Sequence, residues 1–113
     1  MSGIGRFFAA QDGGEFEAAL AEIVSGQKSG HWIWYVFPQL AGLGLSRMSQ
    51  TYGIRDRAEA VEYLHDPVLR SRLETITATA AKHIRAGVPL ERLMGSPIDA
   101  NKLVSSMTLF GTV

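Results

Sequence analysis

The chain has 113 residues, 46% of them hydrophobic, and its eleven basic and eleven acidic side chains give a formal net charge of zero. This length fits one domain, whose folding hides roughly two-thirds of the surface that the unfolded chain exposes. Because the sequence has no cysteine, it offers no disulfide framework and no thiolate chemistry. Balanced, scattered charge argues against nucleic acid or an anionic membrane as a partner.

The start of the chain, residues 1–6, lacks the charged segment and long apolar core of a signal peptide. No run of residues approaches the about 18 apolar residues that indicate a membrane span. We therefore expect a soluble cytoplasmic protein that makes no membrane contact.

The first predicted helix covers about residues 14–25. Its apolar residues recur at helical spacing and form one stripe, namely Phe16, Ala19, Leu20 and Ile23. Asp12 is the candidate cap, and Gly26 marks the end of the helix.

A block rich in aromatic residues follows, from Ser29 to Leu40, and it contains both tryptophans. Residues 32–37 are apolar at every position, so periodicity does not separate a buried strand from a buried helix, and propensity favours a strand. However, the sequence shows no second clear strand to pair with it. We therefore predict a short helix, with Ser29 as its cap and Pro38 at its end.

Cap and stop signals divide the remainder into further helices. A glycine-punctuated connection covers residues 39–45. The signals then predict a short helix from Ser46 to Tyr52, a helix from Asp56 to His65 and a long helix from Pro67 to Gly87. A short helix from Pro89 to Gly95 follows, and a last helix covers residues 98–110 after Ser96-Pro97. The predicted fold is all-α: one domain over residues 1–113, a compact bundle of about five to seven mostly short helices.

Four residues of the aromatic block are candidates for a binding site: His31, Trp32, Trp34 and Gln39. Indole rings stack on planar ligands, and imidazole and amide groups hydrogen-bond the rim of such ligands. The alternative is that they belong to the core, with His31 bonded to a backbone carbonyl, since His and Trp are commonly buried to an intermediate degree.

The last predicted helix carries a second candidate group on one face, Lys102 with Ser105 and Ser106. Together they present a cation and hydroxyls to a phosphate or a carboxylate. The order Lys-x-x-Ser is the reverse of the Ser-x-x-Lys nucleophile motif, so that chemistry is not inherited. In the structural alternative, Lys102 is exposed and the small serines allow close helix packing.

Metal and cofactor sites have little support in the sequence. Glu62 and His65 form one Glu-x-x-His step, whereas a di-iron bundle needs such a step from two helices and further glutamates. The histidines show no H-x-x-x-H pair, and cysteine is absent. We expect no metal and no cofactor.

The chain resembles the bacterial and fungal family of domains of unknown function numbered 1810, from near Phe7 to Phe110. The resemblance rests on Arg6-Phe7 with Ala10-Gln11-Asp12, on Gly30 to Leu40 with Gly42-Leu43-Gly44, on Tyr52-Gly53-Ile54, on Ala60 to Leu64 with Pro67-Val68-Leu69, and on Lys102-Leu103 with Ser105 to Phe110. It implies a compact, mostly helical single domain and supplies no activity, substrate or catalytic residue.

Members of that family usually continue into another helical stretch after the Met-Thr-Leu-Phe segment, whereas this sequence ends at residue 113. We therefore expect an uncovered apolar face that includes Leu103, Met107 and Phe110. Either the chain is a shortened version, or a second copy covers this face and forms a homo-oligomer through the last helix.

Three hypotheses for function follow. The first is a module that binds a small planar or anionic ligand in a cleft between the Trp-rich block and the last helix. The second is an enzyme acting on a nucleotide-like small molecule, with His31 as general acid or base and Lys102 stabilising charge. The third is a structural subunit that self-associates.

Overall fold

A computed structural model describes residues 3–42 and 46–112, and within these ranges it contains eight helices and no strands. The helices are α1 (Gly5–Gln11), α2 (Glu15–Ser25), α3 (Ile33–Val36), α4 (Arg47–Tyr52), α5 (Arg57–His65), α6 (Pro67–Arg85), α7 (Leu90–Met94) and α8 (Pro97–Gly111). The all-α prediction is confirmed. The described residues form eight helices, one more than the expected five to seven, and five of the eight have seven residues or more.

Side-chain caps begin four of the helices where the sequence predicts them. The oxygen of Ser46 accepts a hydrogen bond from Ser49 N at 3.1 Å, and that of Asp56 accepts one from Glu59 N at 2.9 Å. Asp66 accepts from Val68 N and Leu69 N at 3.0 Å, and Ser96 accepts from Asp99 N at 3.1 Å. Each bond satisfies a backbone donor that the first turn of a helix leaves free.

Three local predictions differ from the structure. Helix α1 was not predicted, because its seven residues begin at a glycine without a capping side chain. The prediction of Ser29 as a cap is wrong: α3 begins after Trp32, and Ser29 N donates instead to Glu22 Oε1 at 2.7 Å. Asp12 does not cap α2 either, since its carboxylate pairs with Arg72 Nη1 at 2.8 Å.

The core is built where α2 packs on α6, α7 packs on α8, and α5 packs on both α6 and α8, while α1 packs on α3. Tyr63 lies at its centre, with ring centroids 5.1 Å from Phe7 and 5.2 Å from Phe110. Burial raises the pKa of the Tyr63 hydroxyl to about 12, although Gln11 Nε2 lies 3.4 Å from its oxygen. The hydroxyl therefore stays protonated in the core at neutral pH.

The face of α8 that we expected to be uncovered is largely covered by the chain itself. Leu103 is 5% exposed and Phe110 is 9% exposed, while Met107 is half-buried against the core. The Phe110 ring packs on Tyr63 of α5, and the sulfur of Met107 lies 3.8 Å from the Thr77 hydroxyl of α6, because the helical spacing that makes these residues a stripe also directs the stripe inward. The expectation of an open α8 face is thus corrected for Leu103 and Phe110, whereas Met107 remains partly exposed at a groove between α6 and α8.

A short backbone link joins the segment after α3 to the segment after α4. Ile54 N donates to Gln39 O at 2.7 Å, and Ala41 N donates to Ile54 O at 2.7 Å. The link forms a single parallel bridge between Leu40 and Ile54. Residues 43–45 of the predicted glycine-punctuated connection lie outside the described residues.

Candidate functional site

A cleft of about 460 Å³ lies between the end of the aromatic block, α4 and α8. Its lining residues come from these three segments: Trp34, Gln39 and Leu40; Ser46, Ser49, Tyr52 and Gly53; Ile98, Asn101, Lys102 and Ser105. The volume lies within the range of about 300–1,000 Å³ that is usual for small-molecule sites.

Four of the residues singled out in the sequence line this one cleft, namely Trp34, Gln39, Lys102 and Ser105. They come from two segments that are more than sixty residues apart in the chain. The packing of α3 against α8 brings the segments together.

The other three candidates, His31, Trp32 and Ser106, are not among the lining residues. His31 is exposed, whereas Trp32 is 4% exposed and packs in the core. Ser106 is fully buried, because α8 turns it inward when it turns Ser105 toward the cleft. Adjacent residues of a helix point about 100° apart, so Ser105 and Ser106 do not share one surface.

The ammonium of Lys102 lies over the indole of Trp34, with 4.3 Å between Nζ and the ring centroid. This is a cation–π contact, since the face of an indole ring is electron-rich. Its nearest carboxylate oxygen is Asp99 Oδ1 at 3.6 Å, beyond hydrogen-bond range. The Lys102 side chain is 24% exposed, so its N–H groups remain open to an acceptor in the cleft.

A second lysine, Lys28, repeats this arrangement one layer deeper. Its Nζ lies 5.0 Å from the ring centroid of Trp32 and 2.8 Å from Asp99 Oδ2, and it also donates to Gly30 O. With 5% of its side chain exposed, Lys28 is almost completely buried. Sequence reasoning missed Lys28, because no spacing signal connects it with an aspartate 71 residues later.

The two lysines and Asp99 form one charged group, which we call the Lys28–Asp99–Lys102 cluster. Asp99 Oδ2 lies 2.8 Å from Lys28 Nζ, and Asp99 Oδ1 lies 3.6 Å from Lys102 Nζ. Two ammonium groups and one carboxylate leave a formal charge of +1, and none of the described lining residues is acidic. The uncompensated positive charge is therefore at Lys102, on the wall of the cleft.

Gln39 lines the same cleft and carries a side-chain amide nitrogen that is not satisfied within the fold. Its Nε2 is shielded from solvent and has no hydrogen-bond partner among residues 3–42 and 46–112. A buried amide nitrogen without a partner costs about 1–3 kcal/mol. Because this atom is shielded from the cleft as well as from bulk solvent, a ligand oxygen reaches it only after the amide has turned toward the cleft.

Glu22 fixes the start of the aromatic block. Its Oε1 accepts hydrogen bonds from Ser29 N at 2.7 Å, Gly30 N at 2.8 Å and Trp32 Nε1 at 2.9 Å. Burial alone would raise the pKa of the Glu22 carboxyl, but these hydrogen bonds outweigh it and the pKa is lowered. The indole nitrogen of Trp32 is thus satisfied inside the fold and is not offered to a ligand.

Comparison with known proteins places the chain in a family. The model of a family described as "Protein of unknown function (DUF1810)" matches residues 1–113. The chain belongs to this family. The resemblance found in the sequence is thereby confirmed, and membership in DUF1810 assigns no activity to the cleft.

A solved structure supports the same fold. The crystal structure of the conserved hypothetical protein Rv1873 from Mycobacterium tuberculosis at 1.38 Å is similar, with 41% sequence identity and a TM-score of 0.87. The match covers 96% of this chain and 74% of that one. No curated protein matches the chain.

The described part of this DUF1810 member shows neither a metal-binding group nor a membrane-spanning helix. In the described ranges, no group of three or more His, Asp or Glu side chains is placed to hold a metal ion. Within the same ranges, none of the helices has both the length and the apolar character needed to cross a bilayer.

Proposed function

We propose that this protein is a module that binds a small planar, anionic ligand in the cleft between Trp34 and Lys102. The observation that carries the proposal is the Lys102 ammonium, which lies 4.3 Å from the Trp34 ring centroid and makes no hydrogen bond with a described residue. The ammonium attracts an anion, and the neighbouring apolar side chains, Tyr52 and Ile98, offer a surface to the flat body of the ligand.

The size and polarity of the cleft support the same proposal. Its volume of about 460 Å³ accommodates a ligand of one or two fused rings. Apolar surface comes from Trp34, Tyr52 and Ile98, while Gln39 and Ser105 supply a few hydrogen-bonding groups. Ligand sites commonly combine such a largely apolar wall with few polar groups.

Binding is favoured over catalysis by the position of His31. As the proposed general acid or base, His31 would need to reach a ligand in the cleft within about 3 Å. The imidazole is exposed to solvent and does not line the cleft. Lys102 is left without a proton-transfer partner, so the geometry supports recognition of charge.

Two-dimensional NMR tests the proposal, with the Trp34 indole N–H signal as reporter and a panel of aromatic anions as ligands. We expect saturable shifts of that signal, and we expect Lys102→Met to weaken the binding at least tenfold, a loss of about 1.4 kcal/mol. Lys82→Met is the matched control, since Lys82 is an exposed residue of α6 away from the cleft. Equal binding by both variants, or no shift with any anion, contradicts the proposal.

Self-association is the second candidate, and a groove between α6 and α8 favours it. The lining of this groove combines the charged side chains of Glu74 and Arg85 with small and apolar ones, among them Thr77, Ala78, Ala81, Met107 and Phe110. Small residues on facing helices allow another helix to approach closely. Sedimentation velocity over a hundredfold range of concentration tests this candidate, and a monomer at every concentration contradicts it.

A further inference from the structure

We infer that the ligand's anionic group is a single carboxylate on a planar body, and not a phosphate. This inference rests on the proposed function and concerns the same cleft. It follows from the formal charge of the Lys28–Asp99–Lys102 cluster, together with the unpartnered nitrogen of Gln39.

The charge of the cluster matches one negative charge. Asp99 lies 2.8 Å from the Lys28 ammonium, which is buried, so Lys28 is already neutralised. The distance from Asp99 to Lys102 is 3.6 Å, and the remaining charge of +1 faces the cleft. A carboxylate bound at Lys102 brings the whole cluster to zero, which is the condition for keeping charges stable in a partly buried site.

A phosphate monoester fits these groups poorly. It carries about −1.5 to −2 charges at pH 7, so one bound at Lys102 would leave negative charge uncompensated in the cleft. Phosphate sites usually add an Arg fork or several backbone N–H groups. No arginine is present among the described lining residues, and Ser49 N is already bonded to Ser46 Oγ.

A rotation of the Gln39 amide toward the cleft would supply the donor that a flat oxygen-bearing ligand needs. Its Nε2 is shielded from solvent and has no partner among the described residues, yet Gln39 lines the cleft. A neutral N–H donor satisfies a carboxylate or carbonyl oxygen without adding charge. With the amide turned toward the cleft, the site offers one cation and one neutral donor, which suits a planar monoanion.

Three matched probes test the inference: 2-naphthoate, 2-naphthamide and 2-naphthyl phosphate, titrated at pH 7 and low salt with the Trp34 indole signal as reporter. They share one aromatic body and differ in charge. We expect 2-naphthoate to bind at least tenfold more tightly than either of the others, a difference of about 1.4 kcal/mol. A phosphate ester that binds as tightly as the carboxylate, or an amide that does so, overturns the inference.

Two variants separate this inference from the proposed function. Asp99→Asn raises the formal charge of the cluster from +1 to +2, so we expect the preference to shift toward 2-naphthyl phosphate. Lys102→Met removes the cleft charge without touching Lys28 and should abolish the advantage of 2-naphthoate over 2-naphthamide. This second variant keeps the test valid even if Asp99→Asn does not fold.

If the phosphate is preferred by the native protein, only the inference fails. If none of the three probes reaches the cleft, the proposed function fails with it.

Discussion

The guanidinium of Arg6 holds both carboxylate oxygens of Glu59, with Nη2 2.6 Å from Oε1 and Nη1 3.1 Å from Oε2. The two residues are 53 positions apart, so this pair fastens α1 to α5. Arg6 Nη2 also donates to Gly53 O at 2.8 Å, and Arg55 N donates to Glu59 Oε1 at 3.0 Å. The Glu59 carboxylate therefore fixes Arg6 and Arg55 N, and through Arg6 also Gly53 O, in the turn before α5.

Glu59→Gln should lower the stability of the protein by about 2 kcal/mol, because it removes charge-assisted hydrogen bonds from a nearly buried group. The hydrogen bond from Arg6 holds the pKa of the Glu59 carboxyl below its ordinary value of 4.5. A lowered pKa gives stability that is present above about pH 4.5 and is lost as the pH falls through the folded-state value. Urea unfolding at pH 7 and at pH 3 measures both effects.

We expect the native protein to lose stability in this acid range and Glu59→Gln to lose less of it. Glu62→Gln is the matched control, since Glu62 lies exposed on the same helix. If Glu62→Gln and Glu59→Gln lose the same free energy of unfolding between pH 7 and pH 3, the Arg6–Glu59 pair is not the source of the acid sensitivity.

Gly95→Ala should destabilise the protein by more than Gly87→Ala. Both glycines end helices with positive φ, +85° for Gly95 and +98° for Gly87, so alanine at either position meets the left-handed cost of about 1–2 kcal/mol. Only Gly95 also approaches another backbone, since an added Cβ would lie 2.8 Å from Lys28 O, whereas at Gly87 nothing lies within 4 Å. The difference between the melting temperatures of the two variants measures the cost of the close approach to Lys28 O. Equal melting temperatures would show that this approach has no such cost.

Lys28→Met should cost about 3–5 kcal/mol of stability, because it breaks an almost completely buried ion pair at 2.8 Å and leaves Asp99 without its closest cation. Glu74→Gln is the comparison, since Glu74 pairs with Arg70 at 3.3 Å on an open surface, with 65% of the Glu74 side chain exposed. An exposed pair of this type contributes about 0.3–0.5 kcal/mol. Chemical denaturation distinguishes the two, and a loss of similar size in both variants would contradict the distinction.

Ser106→Ala should leave stability unchanged or raise it by up to about 1 kcal/mol. The Ser106 hydroxyl oxygen is buried and has no hydrogen-bond partner in the part of the chain that the structure describes. Alanine removes the unpartnered hydroxyl and retains the β-carbon. Thermal unfolding checks this, with Ser105→Ala as the control on the cleft side of α8, and a clear destabilisation by Ser106→Ala would reveal a bond that the structure lacks.

The helix starts were predictable from the sequence because they depend on nearest neighbours. Ser46, Asp56, Asp66 and Ser96 each bond to an N–H two or three residues later, so no distant part of the chain decides the outcome. The end of the aromatic block was predictable for the same reason. Phe37 precedes a proline and leaves the helical region, with φ −118° and ψ 77°.

The facing of individual side chains was not predictable in the aromatic block. Because residues 32–37 are all apolar, no polar residue marks the side that faces water, and α3 has only four residues. Trp32 and Trp34 therefore looked equivalent, yet Trp32 is bonded inside to Glu22 and Trp34 lines the cleft. Lys28 was missed because its partner Asp99 is defined by tertiary packing and not by spacing.

Because of the backbone link between Gln39 and Ile54, one wall of the cleft can change shape while the rest of the fold is kept. Its two hydrogen bonds anchor both ends of the intervening stretch, which carries Ser46, Ser49 and Tyr52 to one wall. Lengthening that stretch costs little, since each doubling of a loop adds only about 0.6 kcal/mol. Insertions or deletions between the two anchors would therefore remodel one wall of the cleft and leave the opposite wall, Trp34 and Lys102, in place. Such changes would alter the ligand preference of the cleft with little loss of stability.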